Sequence, residues 1–452
     1  MVLIAALLYN VPSMDQSQKW YRDERKTGLA VLVANIAVRL VIWNLYRPLR
    51  YSDSNAYFRL AKYFMGKLSR FDGTRPPAYP FVMAQLGADE QRIWALQLAL
   101  GILAGLALFY IGWKLTGLVW FGGLMGGLHA LNLQSLLFEA VMLTETLALT
   151  VVLVNMVVFI WVLKKGNQFP SWGLLALGVL ASITWLIRYQ FIMFPLLIGL
   201  FILVQRKNGA FVFQWRRAGV YYLPVAVLLG LWVGFVYQRF GTMSISPIGG
   251  YTIFRHVEGL VDLAPDEFAV VRDSYISYRE AERASGNSHV TIWAAVPDLT
   301  EATGLGFYPL SRHVGSLAGA LIRREPGYYL KSVFNSWVGF WKAPIYWNPQ
   351  NFANPSSANI LRQLSILVHL ALVGINGLFL LAAVLAAGLK KVRRSLALEA
   401  FDVFLILVVL SLSVIQALMV TGENARFLVP LQPLVVLWVG SLALKGKRYL
   451  LP

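Results

Sequence analysis

The chain alternates long apolar runs with shorter polar segments, and this alternation is its dominant pattern. The longest runs are apolar for about 18 residues or more, enough to cross a hydrocarbon core of roughly 30 Å. Because a backbone in lipid must satisfy its own hydrogen bonds, the pattern predicts an all-α integral membrane protein with about ten transmembrane helices. The predicted spans are 28–46, 92–112, 116–136, 145–163, 171–187, 189–205, 218–237, 363–388, 400–420 and 427–444.

Two polar segments interrupt this pattern. Residues 47–91 form a first outer loop in which polar and apolar positions predict amphipathic helices. Residues 238–357 are too polar to span a membrane, and they contain amphipathic stretches that predict a mainly helical outer segment between spans seven and eight. We therefore divide the chain into a cytoplasmic segment (1–27), a transmembrane catalytic module (28–237), an extracytoplasmic helical segment (238–357) and C-terminal transmembrane helices (358–452).

The charge distribution predicts how the spans are oriented. The chain has 40 Lys and Arg against 22 Asp and Glu, a net charge of +18. Lys and Arg are concentrated in the short segments that alternate with the outer loops, as cytoplasmic loops require, and long outer segments are exempt from this rule. Both termini are therefore predicted to be cytoplasmic. No polar domain is large enough to present a basic face to nucleic acid.

The first outer loop is an exception, because it is as basic as an inner loop. Eight Lys and Arg lie between Arg47 and Arg92. Cations retained on the outer side indicate an anionic ligand at that surface, and general attraction to lipid headgroups is the alternative. Both interpretations stay open on the sequence alone.

Several kinds of chemistry have no support in the sequence. There is no cysteine, which excludes disulfides and thiol chemistry. The five histidines show no metal-ligand spacing, and there is no HExxH motif, glycine-rich phosphate loop or GxSxG elbow. We predict no metal site and no cofactor, and leave a divalent cation open.

Asp53 is the first candidate acid. It precedes a predicted amphipathic helix and suits an N-cap. A carboxylate beside Arg59 and Lys62 at a cavity mouth also suits a general base. Asp89 and Glu90 come directly before the second span and are typical N-terminal helix charges.

Two further acids, Glu139 and Glu145, flank the start of the fourth span. Six residues apart, they cannot share one face of a continuous helix. Glu145 lies deeper, between Thr144 and Thr146, and is the better candidate for a second functional carboxylate. Capping and interhelical hydrogen bonding are the alternative.

Three arginines stand where an anion could be recognised. Arg75 precedes Pro76 and Pro77, which restrict its backbone to extended geometry and so orient its fork of donors. Arg188 and Arg426 lie at the outer ends of spans, the latter close to Glu423 and Asn424. An incidental arginine in a proline turn, and structural ion pairs, are the alternatives.

These residues together resemble a known family. Asp53, Tyr57 and Ala61 are followed by Arg75-Pro-Pro-x-Tyr79-Pro, and later by LTETLAL, LIRYQFIMFPL and GENARFLVP. The order is similar to that of GT-C fold glycosyltransferases, in the group that includes the protein O-mannosyltransferases and the lipid A aminoarabinose transferase. Several members have Glu directly after the Asp, where this chain has Ser54.

The resemblance implies an inverting, metal-independent transfer of a sugar from a polyprenyl-phosphate donor to a glycan, lipid or protein acceptor. The site would face the periplasmic side of the cytoplasmic membrane. It implies that Asp53 is the catalytic base, and Glu145 is our candidate for its partner. The donor-phosphate set is Arg75, Lys62, Arg188 and Arg426, and the supporting set is Tyr57, Tyr79, Glu139, Glu423 and Asn424. A lipid-oligosaccharide polymerase or ligase, and a transporter or flippase of lipid-linked sugars, are the alternatives.

Overall fold

The computed structural model describes residues 21–51, 53–207, 210–287, 290–396, 398–422 and 424–450. Within these ranges the chain forms nineteen α-helices and one short antiparallel hairpin. Up to the hairpin the helices are α1 Tyr21–Leu45, α2 Ser54–Phe64, α3 Ala78–Gln85, α4 Glu90–Thr116, α5 Val119–Leu131, α6 Leu133–Glu139, α7 Glu145–Lys165, α8 Ser171–Ile187 and α9 Met193–Leu203.

The hairpin and the remaining helices complete the chain. Strands β1 Val204–Lys207 and β2 Ala210–Phe213 pair with Val204 opposite Phe213. The later helices are α10 Trp215–Phe240, α11 Gly249–Phe254, α12 Ala269–Ala284, α13 Ile292–Thr303, α14 Phe307–Arg324, α15 Pro326–Phe340, α16 Pro355–Gly388, α17 Lys390–Ser395, α18 Ala400–Met419 and α19 Gln432–Leu450.

The structure agrees with the predicted class of an all-α membrane protein. Among the described residues, six helices are long and apolar enough to cross a membrane: α1, α4, α7, α10, α16 and α18. The other four predicted spans fall on shorter apolar helices, so the total of ten stays a prediction. The predicted boundaries also move, since α1 begins at Tyr21 within the segment assigned to 1–27 and α16 begins at Pro355.

The third predicted span, 116–136, is not one continuous helix. Asn132 has an extended backbone, and its side chain accepts a hydrogen bond from the Gln134 N–H at 3.0 Å. This cap ends α5 and starts α6, so the apolar run is divided. A hydropathy pattern contains no information about such a local hydrogen bond, so it predicts one continuous span.

The loops at one end of the helix bundle are joined to each other, and we call this the site end. Leu49 bridges Val141 in parallel, which ties the first outer loop to the turn before α7. The Ala353 N–H donates to the Leu45 carbonyl at 3.0 Å, and Gln190 donates to the Phe427 carbonyl at 3.1 Å. Segments from five parts of the chain therefore meet at this end.

The segment between α10 and α16 has its own core, built by α11 to α14. Its fully buried side chains include Tyr251, Phe254, Leu299 and Leu317. This core packs against the site end, where the Tyr329 hydroxyl donates to the Leu418 carbonyl at 2.9 Å. The prediction of a helical segment here is confirmed.

Candidate functional site

Asp53 lies in the turn that starts α2. Its carbonyl accepts the Ala56 N–H at 3.1 Å, while the Ser54 hydroxyl accepts the Tyr51 N–H at 3.0 Å. The Asp53 side chain makes no capping hydrogen bond. Asp53 therefore occupies the N-cap position of α2 without a side-chain cap, and its carboxylate bonds elsewhere.

The Asp53 carboxylate lies between two arginines. Its Oδ1 is 2.6 Å from Nη2 of Arg75, and its Oδ2 accepts a hydrogen bond from Nη2 of Arg426. Arg426 belongs to the 3-10 turn Asn424–Leu428, 373 residues further along the chain. The Asp53 side chain is 20% exposed, so this group is sheltered but open to solvent.

The two guanidinium groups decide the ionisation of Asp53. Burial alone would raise the pKa of its carboxyl, but the charges and hydrogen bonds of Arg426 and Arg75 outweigh burial and lower the pKa to about 2. Asp53 is thus a carboxylate at neutral pH. While both arginines hold it, it is a weak proton acceptor.

A rigid turn orients Arg75. Asp72 Oδ1 accepts the Thr74 N–H at 3.0 Å, and Arg75 Nη1 donates back to the Thr74 carbonyl at 2.8 Å. Gly73 has a φ of +61°, and a Cβ there would lie 2.6 Å from the Phe240 ring. The turn therefore needs glycine for its backbone conformation and for its close packing.

A second ion pair lies beside the first. Glu145 begins α7, and its Oε1 is 2.8 Å from Nη1 of Arg188, the residue that ends α8. Both side chains are buried, at 2% and 7% exposure. The structure thus joins Glu145 to an arginine that the sequence had placed in the donor-phosphate set.

Phe427 connects the two pairs, and the sequence analysis missed it. The guanidinium carbons of Arg188 and Arg426 lie 4.4 Å and 5.2 Å from the centroid of its ring. Both arginines therefore lie against one aromatic ring, a favourable contact for a desolvated cation. The sequence feature that could have identified Phe427 is its position directly after Arg426.

Tyr57 lies among these charges. Burial, offset in part by Arg75 and Arg188, raises the pKa of its phenol, which keeps it neutral. Its ring packs edge-to-face on Tyr79 at 5.3 Å between centroids, and the Tyr79 hydroxyl donates to Gln97 at 3.0 Å. Two of the predicted supporting tyrosines are thus near the ion pairs.

Other predicted site residues are not in this group. Lys62 is exposed, on a different face of α2 from Tyr57. Glu139 is 2.5 Å from Arg39, in a separate pair, so the structure places Glu145 and not Glu139 beside Asp53. Asn424 is buried and hydrogen-bonds the Val420 carbonyl, a structural role. Glu423 lies outside the described residues.

We call Asp53, Arg75, Glu145, Arg188 and Arg426 the charged cluster. It contains three guanidinium groups and two carboxylates, an excess of one positive charge. Nε of Arg426 and Oε2 of Glu145 are buried without a hydrogen-bond partner in the described part of the chain. An excess cation with unused donors can bind a further anion.

No family model matches this chain, and no curated protein matches it. One solved structure, the archaeal oligosaccharyltransferase AglB from Archaeoglobus fulgidus in complex with an inhibitory peptide and a dolichol-phosphate, is similar with a TM-score of 0.47 and 12% identity. The alignment covers 93% of this chain and 50% of AglB, so this chain spans about half the length of that protein. A likeness at this level carries no argument about the reaction.

Proposed function

We propose that this chain is a membrane glycosyltransferase that moves a sugar from a polyprenyl-phosphate donor to an acceptor at the outer face of the cytoplasmic membrane. One observation carries the proposal. The Asp53 carboxylate lies between Arg75 and Arg426, beside a third arginine, at the end of a bundle of apolar helices. An acid and several cations next to hydrocarbon suit a lipid-linked anionic leaving group.

Arg75, Arg188 and Arg426 are proposed to bind the donor phosphate. A guanidinium presents parallel N–H donors that match phosphate oxygens. The cluster already has one more cation than anion, which favours a phosphodiester over a neutral ligand. Arg188 is fixed by Glu145 at 2.8 Å, which keeps its charge at a defined position.

Donor binding would also activate the base. When the phosphate draws Arg75 and Arg426 toward itself, Asp53 loses the counter-charges that lower its pKa to about 2. The pKa then rises toward its ordinary value, and the carboxylate becomes a better proton acceptor. A base that is weak until the donor binds would limit reaction in the absence of donor.

The proposed reaction is a direct displacement. The acceptor oxygen forms a bond to the anomeric carbon from the face opposite the phosphate, so the configuration inverts. The bond between that carbon and the phosphate oxygen breaks, and its electron pair leaves on the polyprenyl phosphate. Asp53 takes the acceptor proton. The arginines stabilise the charge that develops on the leaving oxygen.

The proposed orientation places the cluster on the extracytoplasmic side. Its support is the distribution of Lys and Arg, from which we predict that both termini are cytoplasmic. A donor used at that face has already crossed the membrane on its lipid. No cofactor is proposed, and full activity after treatment with a chelator is the expected result.

The proposal is tested with purified protein in detergent, a radiolabelled polyprenyl-phosphate sugar and a panel of acceptors. Time-dependent release of free polyprenyl phosphate, with label on an acceptor, is the expected result. A transporter or flippase has no vesicle to cross under these conditions and leaves the donor intact. An intact donor with every acceptor class would contradict the proposal.

A further inference from the structure

A separate cavity lies in the outer segment. It has a volume of about 490 Å³ and is bounded by residues 242–250, which include the start of α11, and by one face of α14. Its walls carry hydroxyl groups, glycines and two arginines, including Ser244, Ser311, Ser316, Gly319, Arg312 and Arg323. No Asp or Glu is among the described residues that line it, so the charge of its lining is positive.

Ser311 is a mostly buried residue in the wall of this cavity. Its side chain is 1% exposed and makes no hydrogen bond to any described residue. The Ser311 hydroxyl lines the cavity, where it can hydrogen-bond to water or to a bound molecule.

The two arginines differ in what holds them. Arg312 donates from Nη1 to the carbonyls of Phe240 and Gly241, both at 2.9 Å, which fixes it at the rim. Arg323 is exposed and makes no ion pair within the described ranges. Its charge is therefore available to an anion.

Two glycines of α14 line the cavity for different reasons. A Cβ on Gly315 would lie 3.1 Å from the Gly250 Cα, so this glycine allows α11 and α14 to cross closely. A Cβ on Gly319 would meet only the Arg323 guanidinium, at 3.6 Å. Glycine in a helix interior destabilises the fold relative to alanine, so Gly319 has a cost that packing does not explain. It keeps the cavity floor open.

The cavity is linked to the charged cluster through one turn. Pro247, in its wall, packs against Gly73, two residues before Arg75. The hydroxyl of Tyr308, at the start of α14, donates to the Asp72 carbonyl in the same turn. The wall of the cavity therefore contacts the turn that orients Arg75.

We propose that this cavity binds an anionic saccharide, one that carries a carboxylate or phosphate on a polyhydroxylated ring. Sugar hydroxyls would pair with Ser311 and Ser316, and the anionic group would pair with Arg323. The further assignment of this saccharide as part of the acceptor rests on the proposed glycosyl transfer. The binding site itself stands on the cavity alone.

The binding test uses saturation-transfer NMR on the purified full chain in detergent, with glucuronate, glucose 6-phosphate, glucose and glycerol 3-phosphate as probes. Glucuronate and glucose 6-phosphate are expected to bind. Gly319→Leu should weaken them about tenfold by filling the floor, and Arg323→Ala should weaken them about tenfold by removing a charge-assisted hydrogen bond. Gly374→Leu, at an exposed glycine of α16 with no neighbour within 4 Å, is the matched control.

Three results would overturn the proposal. The first is no binding of either anionic sugar, and the second is unchanged binding in Gly319→Leu. The third is glycerol 3-phosphate binding as tightly as the sugars, which would indicate a lipid headgroup. If donor turnover is absent but these affinities change as expected, the proposed reaction fails and the saccharide site stands. If turnover occurs and Gly319→Leu leaves the apparent KM for an anionic acceptor unchanged, the acceptor assignment fails.

Discussion

Among the described residues, two sites at which arginine meets a carboxylate are built differently. In the first, Arg39 on α1 and Glu139 on α6 are each 2% exposed and 2.5 Å apart. Arg39 also donates to Asn35 at 2.8 Å, and a Cβ on Gly101 would lie 2.1 Å from Glu139. One cation meets one anion, and the buried His129 ring lies beside them, with its Nε2 3.3 Å from Nη2 of Arg39.

The charged cluster has the opposite properties. Its residues come from four separate segments, three cations face two anions, and Asp53 and Arg75 are partly exposed. A closed, balanced pair fixes how helices pack, whereas an open group with excess charge can exchange one partner for a ligand. The comparison therefore separates a structural ion pair from a candidate catalytic one, although both are arginine–carboxylate pairs.

Asp53→Asn is expected to have the largest effect. Loss of a positioned general base lowers kcat by roughly 10²- to 10⁴-fold. The measurement is release of polyprenyl phosphate in detergent. Asp273→Asn, at an exposed acid of α12, is the control and should keep full activity. Full activity in Asp53→Asn would remove the proposed base.

Glu139→Gln should act on stability and not on the reaction. Breaking a buried pair from one side costs about 3–5 kcal/mol of unfolding free energy, because Arg39 is left without its counter-charge. The double variant Arg39→Met, Glu139→Leu should recover most of that loss. Thermal unfolding in detergent measures the loss of stability in Glu139→Gln and its recovery in the double variant. A drop in kcat per folded molecule would show that this pair is not purely structural.

Arg75→Ala should raise the apparent KM for the donor or lower kcat. By analogy with loss of one oxyanion donor, kcat falls by about 10²- to 10³-fold. Arg283→Ala, at an exposed arginine of α12, is the control. Unchanged donor kinetics in Arg75→Ala would exclude its phosphate role.

The low pKa of Asp53 predicts how the stability of the fold depends on pH. Its carboxyl has a pKa of about 2 in the folded protein against an ordinary value of 3.8. The folded state therefore gains stability above pH 3.8 and loses it as pH falls through about 2. Between these pH values, the free energy of unfolding should depend more steeply on pH in the wild type than in Asp53→Asn. Equal slopes would mean that the two arginines do not hold the carboxylate in solution.

Phe427→Leu is expected to have the smallest effect. It removes the aromatic ring that Arg188 and Arg426 both contact, and a cation–π contact is worth about 0.5–2 kcal/mol. Donor kcat/KM should fall about two- to thirtyfold, and Phe427→Tyr should restore most of it. A loss as large as that of Arg75→Ala would assign Phe427 a direct contact with donor.

The sequence predicted the helical class and several members of the cluster, for local reasons. Arg75 was indicated by the prolines after it, and Arg426 by its position near a span. The donor-phosphate set includes Lys62 because the loop is basic. Lys62 lies about 140° around α2 from Tyr57, so its side chain is on a different face of the helix from the charged cluster. The pairing of Asp53 with Arg426 has no local signal. Glycosyl transfer itself stays a prediction.

The bond between Asp53 and Arg426 also bears on how the protein is made. The two residues are separated by 373 positions, so a ribosome adding about 5–20 residues per second delivers Arg426 roughly 20 to 75 s after Asp53. During that interval the nascent chain has a half-assembled centre in which Asp53 lacks one arginine. Under the proposed function, catalytic competence would arrive only with the last helices, and a ribosome stalled before them would leave an inert protein.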